Sequence, residues 1–269
     1  MNDSELLRRQ ELALRLAREA GEITLRYFQK RDLAVERKSD TTPVTVADRQ
    51  AELFLRDAIA VALPDDGILG EEFPEQSGRS GFRWILDPID GTKTFVSGVP
   101  LYGTLIGIEH AQHSVVGVIH IPALAETAYA TVGHGAWHWR AGDAPTPARV
   151  STKNRLSQGL FCTSEVKTYH DLNRAAAYEK LQTASWLTRT WGDCYGYLLV
   201  ATGRAEVMVD PKMSLWDCAA VQPIVEEAGG TFTDWQGTPT IYAPEAVATN
   251  GHVLEEVLAI TSECRRTND

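Results

Sequence analysis

Leu12, Leu16, Ile23 and Tyr27 fall on one face of a 3.6-residue repeat, with Ala13, Ala17 and Ala20 beside them. That pattern predicts an amphipathic N-terminal helix packed on a core, with Ser4 as its cap. A second helix is predicted over 47–61, after Pro43 and Thr45, and Pro64-Asp65-Asp66-Gly67 breaks it. Apolar runs of strand length follow. Phe82–Leu86 ends at Asp87-Pro88, and Thr104–Ile108 with Ser114–Ile121 reads as a hairpin. Thr127–Val132 with Ala136–Trp139 reads as another. The stretch Ala141–Pro147 is rich in turn residues and predicts a linker. Beyond it strands at Gly159–Thr163 and Ala205–Val209 alternate with helices at Leu172–Thr183, Cys194–Thr202 and Trp216–Ala228. Hairpins early and strand–helix alternation late predict an α/β chain in two parts. An α+β subdomain is expected over residues 1–143 and an α/β subdomain over residues 144–269.

Composition narrows the function. The 269 residues are 43% apolar and 23% charged, which suits a globular core. Lys and Arg number 26 against 36 Asp and Glu, a formal charge of −10. Such a chain repels a phosphate backbone and an anionic membrane surface, so neither nucleic acid nor membrane is an expected partner. No apolar run has the length of a membrane span, and the N-terminus has no apolar segment of signal-peptide type. Cys162, Cys194, Cys218 and Cys264 form no C-x-x-C pair and suit a reducing compartment, so the expected location is the cytoplasm. A small anionic substrate would need bound cations to bring it in.

The acidic residues collect where apolar runs end. In the block from Trp84 to Thr92, Asp87 and Asp90 flank Pro88 and precede Gly91, so two carboxylates and several backbone N–H groups are aimed at one spot. Carboxylates suit a hard divalent cation and the N–H groups suit a phosphate. Glu71 and Glu72 follow the run Ile68–Gly70, where solvated strand-end acids are the plainer reading. Asp217 sits at the start of an apolar helix, where an acid also meets the positive end of the helix dipole.

Together these blocks resemble the inositol monophosphatase family of lithium-sensitive, Mg²⁺-dependent phosphomonoesterases. The matching pieces are Lys38, the T-P-V-T-x-A-D run ending at Asp48, Gly70–Glu72, the Trp84–Thr92 block and the block from Trp216 to Gly230. The resemblance implies a layered αβαβα sandwich, usually dimeric, so a homodimer is expected. It implies two or three Mg²⁺ ions. Glu71, Asp87 and the carbonyl of Ile89 would hold the first, Asp87, Asp90 and Asp217 the second, and a looser third would also touch Glu71. Asp48 and Thr92, together with Glu71, would orient and activate the attacking water, and the amides of Gly91 and Thr92 would hold the phosphate. The reaction implied is in-line transfer of the phosphoryl group of a small phosphate monoester to water. No C-x5-R or G-x-S-x-G nucleophile motif occurs.

The leaving alcohol is read from Arg189–Tyr197. Inositol phosphatases of the family carry small neutral residues after the matching glycine, whereas Asp193, Cys194 and Tyr195 follow Gly192 here. A carboxylate beside a polyanionic site asks for a cation, and an ammonium group on the substrate would supply one. W-G-D-C-Y-G-Y is similar to the histidinol-phosphate phosphatase branch, which implies L-histidinol phosphate as substrate. Asp193 would then meet the ammonium, and Asp210 falls where the inositol enzymes use Glu toward a substrate hydroxyl. Asp193 also reads as a cap of the following helix. An inositol-1-phosphate or broad sugar-phosphate phosphatase is the alternative, with a nucleotide bisphosphate phosphatase behind it. A metal-binding protein without catalysis is disfavoured by the intact acidic set. His134 and His138 flank a turn rather than sharing a helical face, so no zinc site is expected. Trp137, Trp139 and Trp186 read as core or interface aromatics.

Overall fold

In the computed structural model the residues described are 2–30, 35–37 and 43–263. Lys38 and Cys264 lie outside them. The helices are α1 (Asp3–Leu25), α2 (Val46–Ala62), α3 (Thr92–Val96), α4 (Val166–Asp171), α5 (Ala175–Ala184), α6 (Cys194–Ala201), α7 (Leu215–Ala219), α8 (Val221–Glu227) and α9 (Leu254–Thr261). A short ribbon pairs β1 (Val35–Arg37) with β2 (Pro43–Thr45). Seven strands form one sheet in chain order: β3 (Gly67–Gly70), β4 (Phe82–Asp90), β5 (Gly103–His110), β6 (His113–Ile121), β7 (Glu126–Thr131), β8 (Ala136–Arg140) and β9 (Thr146–Pro147). A second sheet contains β10 (Leu160–Cys162), β11 (Leu187–Arg189), β12 (Val207–Asp210), β13 (Thr231–Thr233) and β14 (Ala246–Thr249), in the order β11-β10-β12-β14-β13.

Both sheets are covered on both faces, which explains why their strands are apolar without alternation. Trp84, Leu86, Ile106, Ile108, Val116 and Val118 meet Leu16 and Ala20 of α1 and Leu55 and Ile59 of α2. The opposite-parity residues Ile85, Leu105 and Ile119 meet α6, α7 and α8, together with Cys162 and Met208 of the second sheet. Phe161, Val207 and Val209 point the other way, onto Tyr169 of α4, Leu181 of α5 and Val257 of α9. The layers therefore run helix, sheet, helix, sheet, helix.

The middle layer lies against the first sheet because of two glycines. Gly107 and Gly117 are paired across β5 and β6. A Cβ on Gly107 would sit 2.5 Å from the Ala219 side chain, and one on Gly117 would collide with the Ala220 carbonyl. The helix predicted over 216–228 is in fact divided at Ala220 into α7 and α8. Pro223 has no N–H for the Ala219 carbonyl, and the Ser114 hydroxyl, reaching from β6, donates to it instead.

Three other expectations are corrected. Asn2 rather than Ser4 caps α1, accepting the Ser4 amide at 3.1 Å. The helix predicted over 172–183 begins only at Ala175, after Asn173, whose φ of +57° separates it from α4. The break turns Arg174 inward, 4.2 Å from the Trp235 ring and 3.2 Å from Glu245. Thr146–Pro147, expected inside a linker, pairs with β8 as the edge strand, a position that tolerates proline. Trp137 and Trp139 pack against the α1–sheet core as expected, and Trp186, 68% exposed, is left to the interface reading.

Gly117→Ala has no space to relax into, because its nearest obstacle is backbone. Unfolding in urea should show a loss of about 1–3 kcal/mol relative to the parent chain. A loss near zero would mean that the middle layer is not held at this contact.

Candidate active site

The site begins with a parity problem. Residues three apart on a regular strand point to opposite faces. Asp87 pairs with Leu105 and Asp90 with Gly103, three steps on β4 against two on β5. That extra residue is a β-bulge, and it brings both carboxylates to the same side. The strand expected to stop at Asp87 thus continues to Asp90. Pro88 sits in the bulge, where it needs no ladder donor, and its carbonyl accepts the Thr104 hydroxyl at 2.9 Å. The Ile89 amide donates to Asp87 Oδ1 at 3.0 Å.

Gly91 follows with φ +81°. A side chain is excluded there twice over, by the left-handed backbone and because a Cβ would lie 2.5 Å from Asp193 Oδ2. The chain then enters α3, and the Thr92 hydroxyl donates to the Ile89 carbonyl at 3.3 Å.

Two more acids are delivered by the same local device. Thr45 and Asp48 form a capping box at the start of α2, and Ser214 and Asp217 form one at the start of α7. Asp48 Oδ2 accepts the Thr45 amide at 2.8 Å and hydroxyl at 2.6 Å, and Asp217 Oδ2 accepts the Ser214 amide at 2.7 Å. Asp217 therefore serves its helix and the cluster together. Glu71 leaves β3 with its amide on the Leu86 carbonyl at 3.2 Å. Its turn is held by buried Glu52, which accepts the Glu72 and Phe73 amides and pairs with Arg56 at 2.7 Å.

One ligand oxygen from each of Asp87, Asp90 and Asp217 can be chosen so that all three lie within 4.8 Å of one another. They line a cleft of about 600 Å³ with Glu71, Ile89, Gly91, Thr92, Asp193 and Asp210. Burial pushes the Asp87 and Asp90 carboxyls well above the usual range, and their acidic neighbours push them further. Asp217 is raised to about 7, chiefly by burial, and Asp48 to about 6 for the same reason. Hard oxygen donors that repel one another when ionised fit a divalent cation such as Mg²⁺.

The other predicted residues divide. Asp193 stands at the N-cap position of α6 but caps no amide; its carboxylate turns into the cleft and accepts the Thr94 hydroxyl at 3.3 Å. The α6 N-terminus instead serves Asp90, which accepts the Cys194 amide at 2.5 Å. Asp48 is buried, and its charge acts on Asp87 while that of Glu71 acts on it, so it stands beside the acidic cluster. Asp210 also lines the cleft. Its oxygens accept Thr163 Oγ1 and the Ser164 amide on one side and the Ser164 and Tyr197 hydroxyls on the other, at 2.8–3.1 Å. A carboxylate offers about four acceptor sites, so this one is already filled by protein. His138 donates to or accepts from Glu126 at 2.7 Å, in a cluster with Arg140 and Arg204 rather than a metal site. Thr104, Ser164, Glu52 and Arg56 escaped the sequence reading. Only the two capping boxes carried a local signature, T-x-x-D and S-x-x-D.

A profile of the inositol monophosphatase family matches residues 6–266. The chain belongs to the inositol monophosphatase family. Within it, a histidinol-phosphatase of Chlorobaculum parvum is 46% identical over 244 residues, covering 91% of this chain and 92% of that protein. A histidinol-phosphatase of Mycobacterium tuberculosis is 38% identical over 247 residues, covering 92% and 95%. Among solved structures, the Thermotoga maritima IMPase superposes with a TM-score of 0.85 at 31% identity, over 95% of this chain and 97% of that one. The five-layer arrangement is the family fold.

The raised carboxyls fix the sign of a pH effect. Asp217 in the folded chain holds a proton up to about pH 7 that the unfolded chain releases near 3.8. Its contribution favours folding at low pH and is lost as pH rises through that window. In EDTA the cluster should therefore cost stability progressively from about pH 5 to pH 8. Excess Mg²⁺ should raise the melting temperature more at about pH 8 than at about pH 5. A metal-induced shift independent of pH would show that the cation binds elsewhere.

Proposed function

We propose that this chain is a Mg²⁺-dependent phosphomonoesterase that hydrolyses L-histidinol phosphate to L-histidinol and phosphate. One observation carries the choice of substrate. Asp193, free of the capping duty its position invites, presents a carboxylate to the cleft beside Gly91, where the ester end of a bound phosphate would lie. The identity to named histidinol-phosphatases supports the same reading. An inositol or sugar phosphate offers no cation to that carboxylate. The alternative, an inositol-1-phosphate or broad sugar-phosphate phosphatase, keeps support from a Thermotoga maritima fructose-1,6-bisphosphatase/inositol-1-monophosphatase that is 30% identical.

Asp87, Asp90, Asp217, Glu71 and the Ile89 carbonyl would hold the Mg²⁺ ions. Bound there, Mg²⁺ supplies positive charge against the phosphoryl oxygens and lowers the pKa of water. The amides of Gly91 and Thr92 hold the phosphate, and Glu71 with the Thr92 hydroxyl orients the water. Its oxygen attacks phosphorus in line as its proton passes to the Asp48–Thr92 pair, the P–O bond to the alcohol breaks, and the departing alkoxide takes a proton from solvent water. Asp48 orients and activates that water together with Thr92. Asp210, held by Ser164 and Tyr197, lines the substrate side of the cleft. Asp193 pairs with the substrate ammonium.

We assign residues 1–143, carrying most of the metal ligands, to one subdomain and residues 144–269, carrying the alcohol side and Asp217, to the other. β9 stays with the first sheet across that boundary. We place the protein in the cytoplasm as a homodimer. The thiols of Cys162, Cys194 and Cys218 are free, and among the described residues no helix is long and apolar enough to cross a membrane. Light scattering at micromolar concentration tests the dimer.

The deciding experiment compares kcat/KM for histidinol phosphate and inositol 1-phosphate. Preference for the inositol ester would overturn the substrate assigned here. Asp193→Asn should cost about 2–4 kcal/mol in kcat/KM on histidinol phosphate and little on glycerol 2-phosphate, which has no amine. Equal losses on both would make Asp193 a structural residue. Asp90→Asn should leave less than about a tenth of the parent kcat on either ester, because charge stabilisation at the phosphoryl group is worth several kcal/mol.

A further inference from the structure

The cleft has a second carboxylate on its alcohol side that the reaction does not use. Glu165 stands at the head of α4, directly after Ser164, and both residues line the cleft with Thr168. Its side chain caps no amide of that helix. Glu165 Oε2 accepts Lys93 Nζ at 2.8 Å and the Thr168 hydroxyl at 3.0 Å. Lys93 comes from α3, next to Thr92, so the ion pair links the element that starts at Thr92 to the head of α4. Both partners are open to solvent, the lysine side chain 64% and the glutamate 42% exposed. An exposed pair of this kind holds its members weakly and exchanges partners cheaply. The Lys93 hydrogen bond holds the Glu165 carboxyl below the usual range, so it is ionised near neutral pH.

Two carboxylates are thus set at different depths. Asp193 lies inside, against Gly91 and close enough to Asp90 and Asp217 to push on their charge. Glu165 lies at the rim. Histidinol phosphate carries two nitrogen groups at different distances from its phosphate: an ammonium on the carbon next to the ester methylene, and an imidazole one methylene further out. We propose that Glu165 recognises the imidazole end of the substrate, and that Lys93 occupies this carboxylate until the imidazole N–H displaces it. The inference rests on the histidinol-phosphate reading and deepens it. No covalent step is involved; one charge-assisted hydrogen bond replaces another. Glu165 is accordingly a specificity residue, and its effect belongs in KM rather than kcat, since the imidazole is remote from the reacting phosphorus.

Three esters separate the two acids: histidinol phosphate, 2-aminoethyl phosphate with the amine alone, and 3-(imidazol-4-yl)propyl phosphate with the imidazole alone. Glu165→Gln should raise KM about tenfold for both imidazole esters with kcat nearly constant, as expected for lost uniform binding. Its effect on 2-aminoethyl phosphate should stay below about twofold. Asp193→Asn should give the opposite selectivity, weakening both amine esters and sparing the imidazole-only one. Lys93→Met should lower KM for 3-(imidazol-4-yl)propyl phosphate, because the cation paired with Glu165 is gone. Equal changes on all three esters with Glu165→Gln, or no change on any, would overturn the assignment while leaving histidinol phosphate as substrate. A parent enzyme that handles glycerol 2-phosphate as well as any of the three would overturn the substrate reading and this inference with it.

Discussion

Carboxylates crowded within a few ångströms of one another in a protein cleft repel, and the chain is built to hold them there regardless. Asp87 and Asp90 lose their solvent to burial, while Asp217 adds a third charge to the same space. Left alone, the folded chain relieves this by keeping protons that the unfolded chain would release, which costs stability as pH rises. A divalent cation offers a second form of relief that leaves every oxygen ionised. The same repulsion that penalises the bare fold is what binds the cation, and binding energy gained there returns as folding energy. The acidity of the whole chain has the same consequence for the substrate. An anionic ester approaches a protein of charge −10 only where cations have already changed the local sign.

Holding the cluster takes more residues than the cluster contains. A bulge fixes Asp87 against Asp90, two capping boxes fix Asp48 and Asp217, and the Glu52–Arg56 pair fixes the turn that carries Glu71. The N-terminus of α6 adds a partial positive charge beside Asp90 through the Cys194 amide. Each device sits on an element whose far side is packed in a core layer. The Gly107–Gly117 pair matters to the site for that reason. It lets the α7–α8 junction reach the sheet, and α7 is the element that carries Asp217 to β4. Packing of the middle layer and placement of the third carboxylate are one constraint.

Most of the layered fold was legible because both kinds of signal agreed. The α1 stripe, the second helix and the hairpins of the first sheet appear within a residue or two of their predicted places. The misreadings share a cause, which is that a distant partner overrides a local pattern. Arg174 delays the start of a periodic helix to reach Trp235 and Glu245, and Ser114 supplies the hydrogen bond that Pro223 cannot, at a point where the pattern reads as one helix. The acidic residues of the site were legible by motif, but their duties were not. The hydrogen bonds that Thr163, Ser164 and Tyr197 give Asp210 come from distant elements and leave no mark on the local sequence. Asp193 offered two readings, a helix cap and a partner for a substrate cation, and it caps no amide. Local propensity puts an acid at a helix start in both cases of Asp193 and Asp217, and only the three-dimensional neighbours reveal that one caps and the other does not.

That difference carries the functional argument. A cap residue replaced by a small polar one loses little beyond about 1 kcal/mol of helix stability, so capping alone gives weak reason to place an acid beside an anionic ester. A carboxylate that caps nothing and faces other carboxylates raises the energy of the bare site. It is tolerable when a ligand brings the opposite charge. Metal ions would answer Asp87, Asp90 and Asp217, and Asp193, bonded to Thr94 and acted on by the Lys93 charge, would be left to meet the substrate. The chemistry that removes the phosphate is shared by every ester the cleft admits, since it acts on the phosphoryl group alone. Discrimination therefore has to come from the charge carried by the alcohol, and the acids on that wall are where the cleft can read it.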